Sequence, residues 1–222
     1  WRPSSISGST NVFASNPTAA TSMPKMHNSI HFTPRAHFSD RTQWRDLGMV
    51  APNIVPSFWR DWLFDTGSLT RRLLDASRGQ LQVEVLSQKL QLPSLSERQA
   101  LSLPANRLAL VREVLLIGCG EPWVFARSIL PLTTVTGRLR RLRHLDNRPL
   151  GALLFNDPTM TREPLQWACI EPGDEPLAVP LAPLQVQAWG RRSVFKLSAK
   201  PLLVCEIYLP SFKPYGQPQH ST

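Results

Sequence analysis

The sequence predicts a single α+β domain built on one antiparallel sheet of roughly six strands. Two runs of β-favouring residues, 193–197 and 202–209, are separated by the four residues SAKP, a spacing typical of a β-hairpin. Two apolar runs, 108–117 and 123–130, flank the turn sequence GCGEP in the same way. Short helical patterns lie before and between these hairpins in a mixed order, which favours an antiparallel sheet over regular parallel βαβ units.

Three segments are predicted along the chain. Residues 1–39 contain no Asp or Glu and show no apolar periodicity, a composition that cannot bury enough apolar surface to fold alone. We therefore expect 1–45 to be a flexible N-terminal tail and 46–212 to be the folded domain. The polar stretch 213–222 is predicted to be a C-terminal tail.

Within the domain, the first elements are helical. The sequence PSFWRDWLF at 56–64 predicts a short amphipathic helix. In the following DTGSLTRRLLDAS, Ser68 is the expected N-cap, and Leu69, Leu73 and Leu74 are expected to form one apolar stripe. The remaining elements are expected in this order: a strand at 80–86, a short helix at 94–103, the hairpin strands 108–117 and 123–130, a helix at 134–145 with Leu139, Leu142 and Leu145 on one side, a loop or short helix at 149–155, a strand at 162–170, and the final hairpin.

Charged residues interrupt three of the apolar strands, at Arg112, Arg127 and Glu206. Because side chains of a strand alternate between faces, Arg112 shares its face with Leu110 and Val114. A charge in such a row needs an opposite charge or a ligand. One interpretation is a buried ion-pair network that only completes the sheet. The other is a closed pocket in which arginines hold carboxylates and Glu206 handles a proton or a hydroxyl. Residue types alone leave both interpretations open.

The composition argues against several classes of function. The net charge is +9, but the basic residues lack interleaved aromatic residues or a known nucleic-acid-binding motif, so we expect no nucleic-acid partner. The arginines of 138–148 are expected either on a solvated helix face or steering an anionic ligand. No apolar run is long enough to span a membrane. Three cysteines without a CxxC motif, and histidines mostly in the predicted tails, indicate a cytoplasmic protein without metal or cofactor.

Several motifs occur together in one order over residues 62–210, and they resemble the chorismate pyruvate-lyase family, bacterial enzymes that make 4-hydroxybenzoate for ubiquinone. Each motif alone is short, but five in order with compatible spacing are specific. The motifs are VREVLL with GEPWVFARSILP, PLGALLF, WGRRSVFKL and KPLLVCEIYLP.

The resemblance implies a six-stranded antiparallel sheet with helical flaps over a buried ligand. It places the ligand-carboxylate arginine on Arg112, the acid beside the ligand hydroxyl on Glu206, and the leucine of the PLG segment on Leu150. Leu69 stands where the family has a Met, and Arg127 matches a family arginine expected at the ligand. The two flaps are expected at 65–73 (first flap) and 138–154 (second flap).

The implied reaction is removal of pyruvate from chorismate by a monomeric enzyme, with 4-hydroxybenzoate and pyruvate as products and Arg112 and Glu206 as catalytic residues. The alternative is a sensor: the same fold resembles the effector-binding domain of some bacterial transcription regulators, which bind a small molecule without turnover. Those regulators carry a winged helix-turn-helix ahead of the domain, and residues 1–55 lack its helical periodicity. The family's SGK turn reads Ser198-Ala199-Lys200 here, which leaves the geometry of that turn open.

Overall fold

The computed structural model describes residues 42–49, 54–172 and 186–212, whose strands form one sheet with only antiparallel pairs. The eight strands of this part of the chain are β1 (Arg45–Asp46), β2 (Leu81–Gln91), β3 (Ala109–Gly118), β4 (Glu121–Pro131), β5 (Met160–Arg162), β6 (Gln166–Ile170), β7 (Ala188–Leu197) and β8 (Lys200–Tyr208). Their order is β1-β6-β7-β8-β4-β3-β2, and β5 pairs with β7 on the same side as β6. The predicted α+β class is confirmed, with two very short strands added to the predicted six.

The helices of the described residues are short. They are α1 (Ser57–Leu63), α2 (Leu69–Ala76), α3 (Leu95–Ala100) and α4 (Leu150–Phe155), with 3₁₀ segments at Leu47–Met49 and Gly137–Arg143. The Ser68 side chain accepts a hydrogen bond from the backbone N–H of Arg71, so it caps α2 as predicted. Leu69 and Leu73 are buried, but Leu74 is 39% exposed. Its place in the predicted apolar stripe is therefore wrong.

The helix predicted at 134–145 is a shorter 3₁₀ helix in the second flap. Leu139, Leu142 and Leu145 are all buried, as predicted, and the helix covers Gly137–Arg143. The physical reason is their spacing of three residues, which matches the three residues per turn of a 3₁₀ helix. The three-residue spacing of these leucines is therefore the sequence pattern that indicates a 3₁₀ helix.

One predicted strand is divided in two. The pattern at 162–170 predicted a continuous strand, but β5 ends at Arg162 and β6 begins at Gln166. Pro164 lies in the gap, and proline lacks the backbone N–H that a sheet ladder requires. Arg162 is thereby placed at the end of a strand that runs beside the last residues of β7.

The sheet has two apolar faces that are covered by different elements. One face carries Val114, Ala126 and Val204, and helices α1, α2 and α4 pack over it; we call it the pocket face. The other carries Val111 and Ile129; we call it the back face. On the back face, residues from the end of α3 and the segment before β1 complete the packing: Ala100, Leu101, Leu103 and Trp44.

The β3–β4 hairpin contains an irregularity that decides which side chains share a face. Gly118 pairs with Glu121 and Ile117 with Pro122, but Leu116 pairs with Val124, so β4 has one extra residue at Trp123. The Trp123 ring lies on Gly118, where an added Cβ would be 2.3 Å from a ring carbon. Such a bulge changes the register by one residue and so exchanges the two faces for the rest of β4.

The folded region begins before the predicted boundary at residue 46. Trp44, assigned to the tail by sequence, packs against the back-face core, and its ring lies 4.6 Å from the guanidinium carbon of Arg192. Arg45 also pairs with Trp167 in the sheet. The predicted tail at 1–41 and the predicted C-terminal tail at 213–222 lie outside the described residues. In the described ranges, no helix has the length and apolar character needed to cross a bilayer.

Candidate active site

A cavity lies between the pocket face and helices α2 and α4, and enclosed sites of this kind are where proteins bind small molecules. Its charged lining consists of Arg112 from β3, Arg162 from β5, Arg191 from β7 and Glu206 from β8. The apolar lining includes Leu69, Val83, Val114, Leu116, Ala126, Leu150, Leu154, Phe155, Phe195 and Val204. A few charged groups in an otherwise apolar lining are an arrangement that suits a small ring compound with polar ends.

Arg112 is buried at one end of the cavity and is held by uncharged acceptors. Its guanidinium donates to the side-chain oxygen of Gln88 at 3.1 Å and to the backbone carbonyls of Asp146 at 2.6 Å and Arg148 at 3.3 Å. Burial lowers the pKa of Arg112, and the Asp146 carboxylate opposes this shift only in part. In the described part of the chain, the Nε of Arg112 has no hydrogen-bond acceptor, so the guanidinium can still bind an anion.

Glu206 lies at the other end of the cavity and pairs with Arg191. The two residues are direct partners across the β7–β8 hairpin, and the Arg191 Nε donates to Glu206 Oε2 at 2.6 Å. Arg191 also donates to the carbonyls of Trp62 and Asp65, which lead into the first flap. Burial disfavours the charge of Arg191, but Glu206, Tyr208 and Asp65 together outweigh burial and raise the pKa of Arg191. Glu206 itself lines the cavity, and its Oε1 has no hydrogen-bond donor among the described residues.

Arg112 and Glu206 do not form a direct ion pair, because Glu206 pairs with Arg191 and Arg112 donates to Gln88 and to two backbone carbonyls. Arg112 pairs with Ser128 of β4, and Ser128 pairs with Val204 of β8, two residues from Glu206. Two strand spacings and a two-residue offset separate their Cα atoms by about 12 Å. Both side chains line the cavity, so the space between them is available to a ligand.

Arg162 contributes another guanidinium at the Glu206 end. Its Nε donates to the Ser193 hydroxyl and its Nη1 donates to the carbonyl of Thr66, each at 2.9 Å. Its guanidinium carbon lies 5.0 Å from the centre of the Phe195 ring. Burial lowers the pKa of Arg162, and the neighbouring charge of Arg191 lowers it further. This cation is therefore oriented by neutral partners.

The two predicted flap leucines both reach the cavity. Leu69 is the first residue of α2 and Leu150 the first residue of α4; both are buried and line the cavity. The helices approach closely at Gly151, where an added Cβ would lie 2.7 Å from the Thr70 hydroxyl. The glycine of the PLG motif therefore lets the two flaps meet above the cavity.

Arg127 does not reach the cavity, which corrects its assignment as a ligand-binding residue. It lies on the back face, where its guanidinium contacts Glu97 at 2.7 Å and Glu113 at 2.6 Å. Glu97 also completes the capping box of α3 with Ser94. A regular β3–β4 hairpin would place Arg127 opposite Arg112, but the extra residue at Trp123 places Ser128 there instead. The bulge thus turns Arg127 away from the site.

Sequence reasoning missed Arg162 and Arg191. Arg191 lies in the quoted motif WGRRSVFKL, but its pairing depends on the length of the hairpin loop. The structure has a loop of two residues, Ser198 and Ala199, both with positive φ, as in a type I′ turn. The expected loop of four residues would have placed Ser193 opposite Glu206. Ser-Ala is not the Asn-Gly or Asp-Gly sequence that favours a type I′ turn, so the local sequence contains no clear signal for the shorter loop or for the Arg191 pair.

The arginines of the second flap serve partly as structural anchors. Arg138 donates to both carboxylate oxygens of Asp157 and to the hydroxyls of Thr159 and Ser198. Hydrogen bonds from Arg138 and Thr159 hold the pKa of Asp157 well below its usual range. Arg141 lies 3.6 Å from the same carboxylate. This network joins the second flap to the β7–β8 turn.

Comparison with known proteins places this geometry in a family. The chorismate lyase family model matches residues 40–217. A protein of Aromatoleum aromaticum named "Probable chorismate pyruvate-lyase" is 45% identical over 168 residues, covering 71% of this chain and 87% of the relative. A Pseudomonas aeruginosa protein of the same name is 41% identical, with 74% and 88% covered. Among solved structures, the C-terminal domain of the histidine utilization repressor from Pseudomonas syringae matches at a TM-score of 0.47 and 12% identity, with 64% and 99% covered.

Proposed function

The chain belongs to the chorismate lyase family, and we propose how its cavity carries out the reaction of a chorismate pyruvate-lyase. The protein is a lyase that acts on a small molecule, and the substrate is chorismate. The observation that carries the proposal is the placement of Arg112 and Glu206 at opposite ends of one apolar cavity. Chorismate has a ring carboxylate and a ring hydroxyl at opposite ends, so the two residues match its two ends.

Arg112 binds the ring carboxylate of chorismate. Among the described residues, its guanidinium has only carbonyl and amide oxygens as partners, so its positive charge is available to the ligand. A charge-assisted hydrogen bond in a partly dry site is stronger than a neutral one. Because Arg112 also holds the carbonyls of Asp146 and Arg148, it connects the bound carboxylate to the second flap.

Glu206 acts where the proton is transferred. The hydrogen on the hydroxyl-bearing ring carbon leaves as a proton, and the electron pair of that C–H bond completes the aromatic ring. The C–O bond to the enolpyruvyl group breaks, and its electron pair leaves on the enolpyruvate oxygen. Enolpyruvate then takes one proton on its terminal carbon and becomes pyruvate, so one proton is removed and one is returned. Arg191 orients the Glu206 carboxylate through the 2.6 Å contact, as a fixed general base requires.

Aromatisation supplies the driving force, so the protein contributes orientation and one proton transfer without a cofactor. Leu69 and Leu150 form the apolar cover over the ring. Effective concentration and alignment of bound groups lower reaction barriers substantially. The two flaps must open for 4-hydroxybenzoate to leave, and opening of such covers can limit turnover.

The direct test mixes purified protein with chorismate and follows pyruvate release together with the absorbance of 4-hydroxybenzoate. We expect equal amounts of both products, and the same rate in the presence of a metal chelator. Binding of chorismate without release of pyruvate would contradict the lyase assignment and support a sensor. A rate that collapses in chelator would contradict the cofactor-independent chemistry.

Glu206→Gln tests the role of the acid, because it preserves the shape and a hydrogen-bond acceptor for Arg191. We expect kcat to fall about 100-fold or more while KM changes only a few-fold, as for loss of a general base. Glu163→Gln is the matched control, because Glu163 is exposed and pairs only with Lys196 among the described residues. An unchanged kcat in Glu206→Gln would remove Glu206 from the proton transfer.

A further inference from the structure

We propose that Arg162 binds the second carboxylate of the substrate, the one on the enolpyruvyl group, and so selects the dianionic substrate over its monoanionic product. This inference rests on the proposed function. It assigns a specificity role to a residue that neither the sequence motifs nor the relatives' names single out. Three features of the site support this role: the charge of the cavity, the position of Arg162 and the hydrogen bonds that orient it.

The charges that line the cavity do not balance. Three cations, Arg112, Arg162 and Arg191, face one anion, Glu206. Arg191 and Glu206 form an ion pair at 2.6 Å, whereas the described residues give neither Arg112 nor Arg162 a carboxylate within ion-pair distance. Two positive charges therefore remain for the ligand. Half-buried or buried cations without a carboxylate are costly in an empty apolar site, and a ligand with two negative charges would balance both.

Arg162 is at the correct end of the cavity for the second carboxylate. Its Nε donates to Ser193, which lies on β7 two residues from the Arg191 that pairs with Glu206. The groups that act on its charge are Arg191, Glu206, Asp65 and Tyr208, so Arg162 belongs to the Glu206 end of the cavity. In chorismate, the enolpyruvyl ether is attached to the ring carbon beside the hydroxyl-bearing carbon. A ligand that presents its ring carboxylate to Arg112 and its hydroxyl to Glu206 must therefore carry its second carboxylate towards the Glu206 end.

The guanidinium of Arg162 is fixed before any ligand arrives. The Ser193 hydroxyl accepts from Nε and the Thr66 carbonyl accepts from Nη1, while the Phe195 ring lies against the guanidinium. Within the described residues, Nη2 has no hydrogen-bond acceptor. A fixed fork with one unused nitrogen can bind a carboxylate at little entropic cost.

The arrangement also gives a reason for product discrimination. After the C–O bond breaks, the ring compound retains only its carboxylate at Arg112, and the charge at Arg162 belongs to pyruvate. Arg162 donates a hydrogen bond to the carbonyl of Thr66, which lies in the first flap between α1 and α2. The residue that binds the pyruvate carboxylate is therefore also hydrogen-bonded to the first flap. Loss of Arg162 should therefore weaken the binding of chorismate and leave the affinity for 4-hydroxybenzoate almost unchanged.

The test compares three variants of the full chain, Arg162→Gln, Arg112→Gln and Arg107→Gln, for chorismate kinetics and for 4-hydroxybenzoate affinity by calorimetry. Arg162→Gln should raise KM for chorismate about 30-fold or more, with the Kd for 4-hydroxybenzoate within about three-fold of the parent value. Arg112→Gln should weaken both ligands. Arg107 is exposed and lies before β3, so Arg107→Gln removes the same charge as a control and should change neither value.

A second measurement needs no variant. The unaltered protein should bind 3-(carboxymethoxy)-4-hydroxybenzoate, a dianion with an ether-linked carboxylate beside the hydroxyl, at least about tenfold more tightly than 3-methoxy-4-hydroxybenzoate. The preference should disappear in Arg162→Gln and partly return in Arg162→Lys. The inference would be overturned if Arg162→Gln lowered the affinity for both benzoates equally. It would also be overturned if the unaltered protein showed no preference for the dianion. Failure of the proposed function shows itself separately, as an unaltered protein that releases no pyruvate while these binding differences are still measured.

Discussion

Buried arginines on the two faces of the sheet have different kinds of partners. On the back face, Arg127 lies between the carboxylates of Glu97 and Glu113, and together these charges raise its pKa although burial alone would lower it. On the pocket face, the hydrogen-bond partners of Arg112 and Arg162 within the described ranges are carbonyl, amide and hydroxyl oxygens, and burial lowers the pKa of each. The back face thus satisfies its cation internally, whereas the pocket face leaves positive charge for a ligand.

This difference shows that a buried charge indicates function only when its partners are known. Before the partners are seen, Arg112 and Arg127 look alike, because each is one cation in an apolar strand. A cation with carboxylate partners serves the fold. A cation oriented by neutral oxygens, beside a cavity, is a candidate binding group. The experiments below separate the two kinds of arginine by stability and by binding.

The largest expected effect is on stability, from Arg127→Met. The change leaves two buried carboxylates without their cation, so we expect the free energy of unfolding to fall by about 3–5 kcal/mol. Urea denaturation measures this loss. The triple variant that also carries Glu97→Gln and Glu113→Gln should recover part of it, because the carboxylates are then neutral. A loss below about 1 kcal/mol in Arg127→Met would contradict the structural role and weaken the comparison.

Arg112→Gln should weaken ligand binding strongly and change the stability of the fold only slightly, the opposite of Arg127→Met. We expect the affinity for 4-hydroxybenzoate to fall by about 2–5 kcal/mol, roughly 30-fold or more, because the ligand carboxylate loses its charged partner. The free energy of unfolding should change by no more than about 1–2 kcal/mol, since the glutamine amide can still donate to a flap carbonyl. Calorimetric titration and urea denaturation of the same sample provide both numbers. A stability loss as large as that of Arg127→Met, with intact binding, would reverse the assignment of the two faces.

Leu150→Ala tests the apolar cover of the pocket face. We expect the affinity for 4-hydroxybenzoate to fall about tenfold, because the ring loses a buried contact of the second flap. Leu153→Ala is the matched control on the same helix, since Leu153 packs into the core but does not line the cavity. An equal loss of affinity in both variants would indicate a general weakening of α4 and remove Leu150 from the site.

The smallest effect is expected at the turn of the hairpin that carries Arg191 and Glu206. Ala199 has a φ of 62°, a conformation that glycine adopts without the steric cost of a Cβ. Ala199→Gly should therefore stabilise the protein by up to about 1 kcal/mol, read as a rise in melting temperature, and should leave kcat unchanged. A decrease in stability would show that the flexibility of glycine in the unfolded chain outweighs the relief of strain.

Most elements of the described region could be predicted from local sequence patterns. Local periodicity identified the strands, the Ser68 cap and the leucines of the second flap, because these depend on neighbours along the chain. The ordered motifs identified the family. Leu69, Leu150, Arg112 and Glu206 were all selected from sequence, and all four line the cavity.

Which charged residues lie on the same face of the sheet depends on contacts between strands, so local sequence patterns could not predict it. The alternation within one strand relates a side chain to its own neighbours, but it contains no information about register between strands. One extra residue at Trp123 moves Arg127 to the back face, and a two-residue turn aligns Arg191 with Glu206. A change of register by one residue inverts every face assignment in a strand. Turn geometry and side-chain packing fix that register, and they exist only in the folded chain.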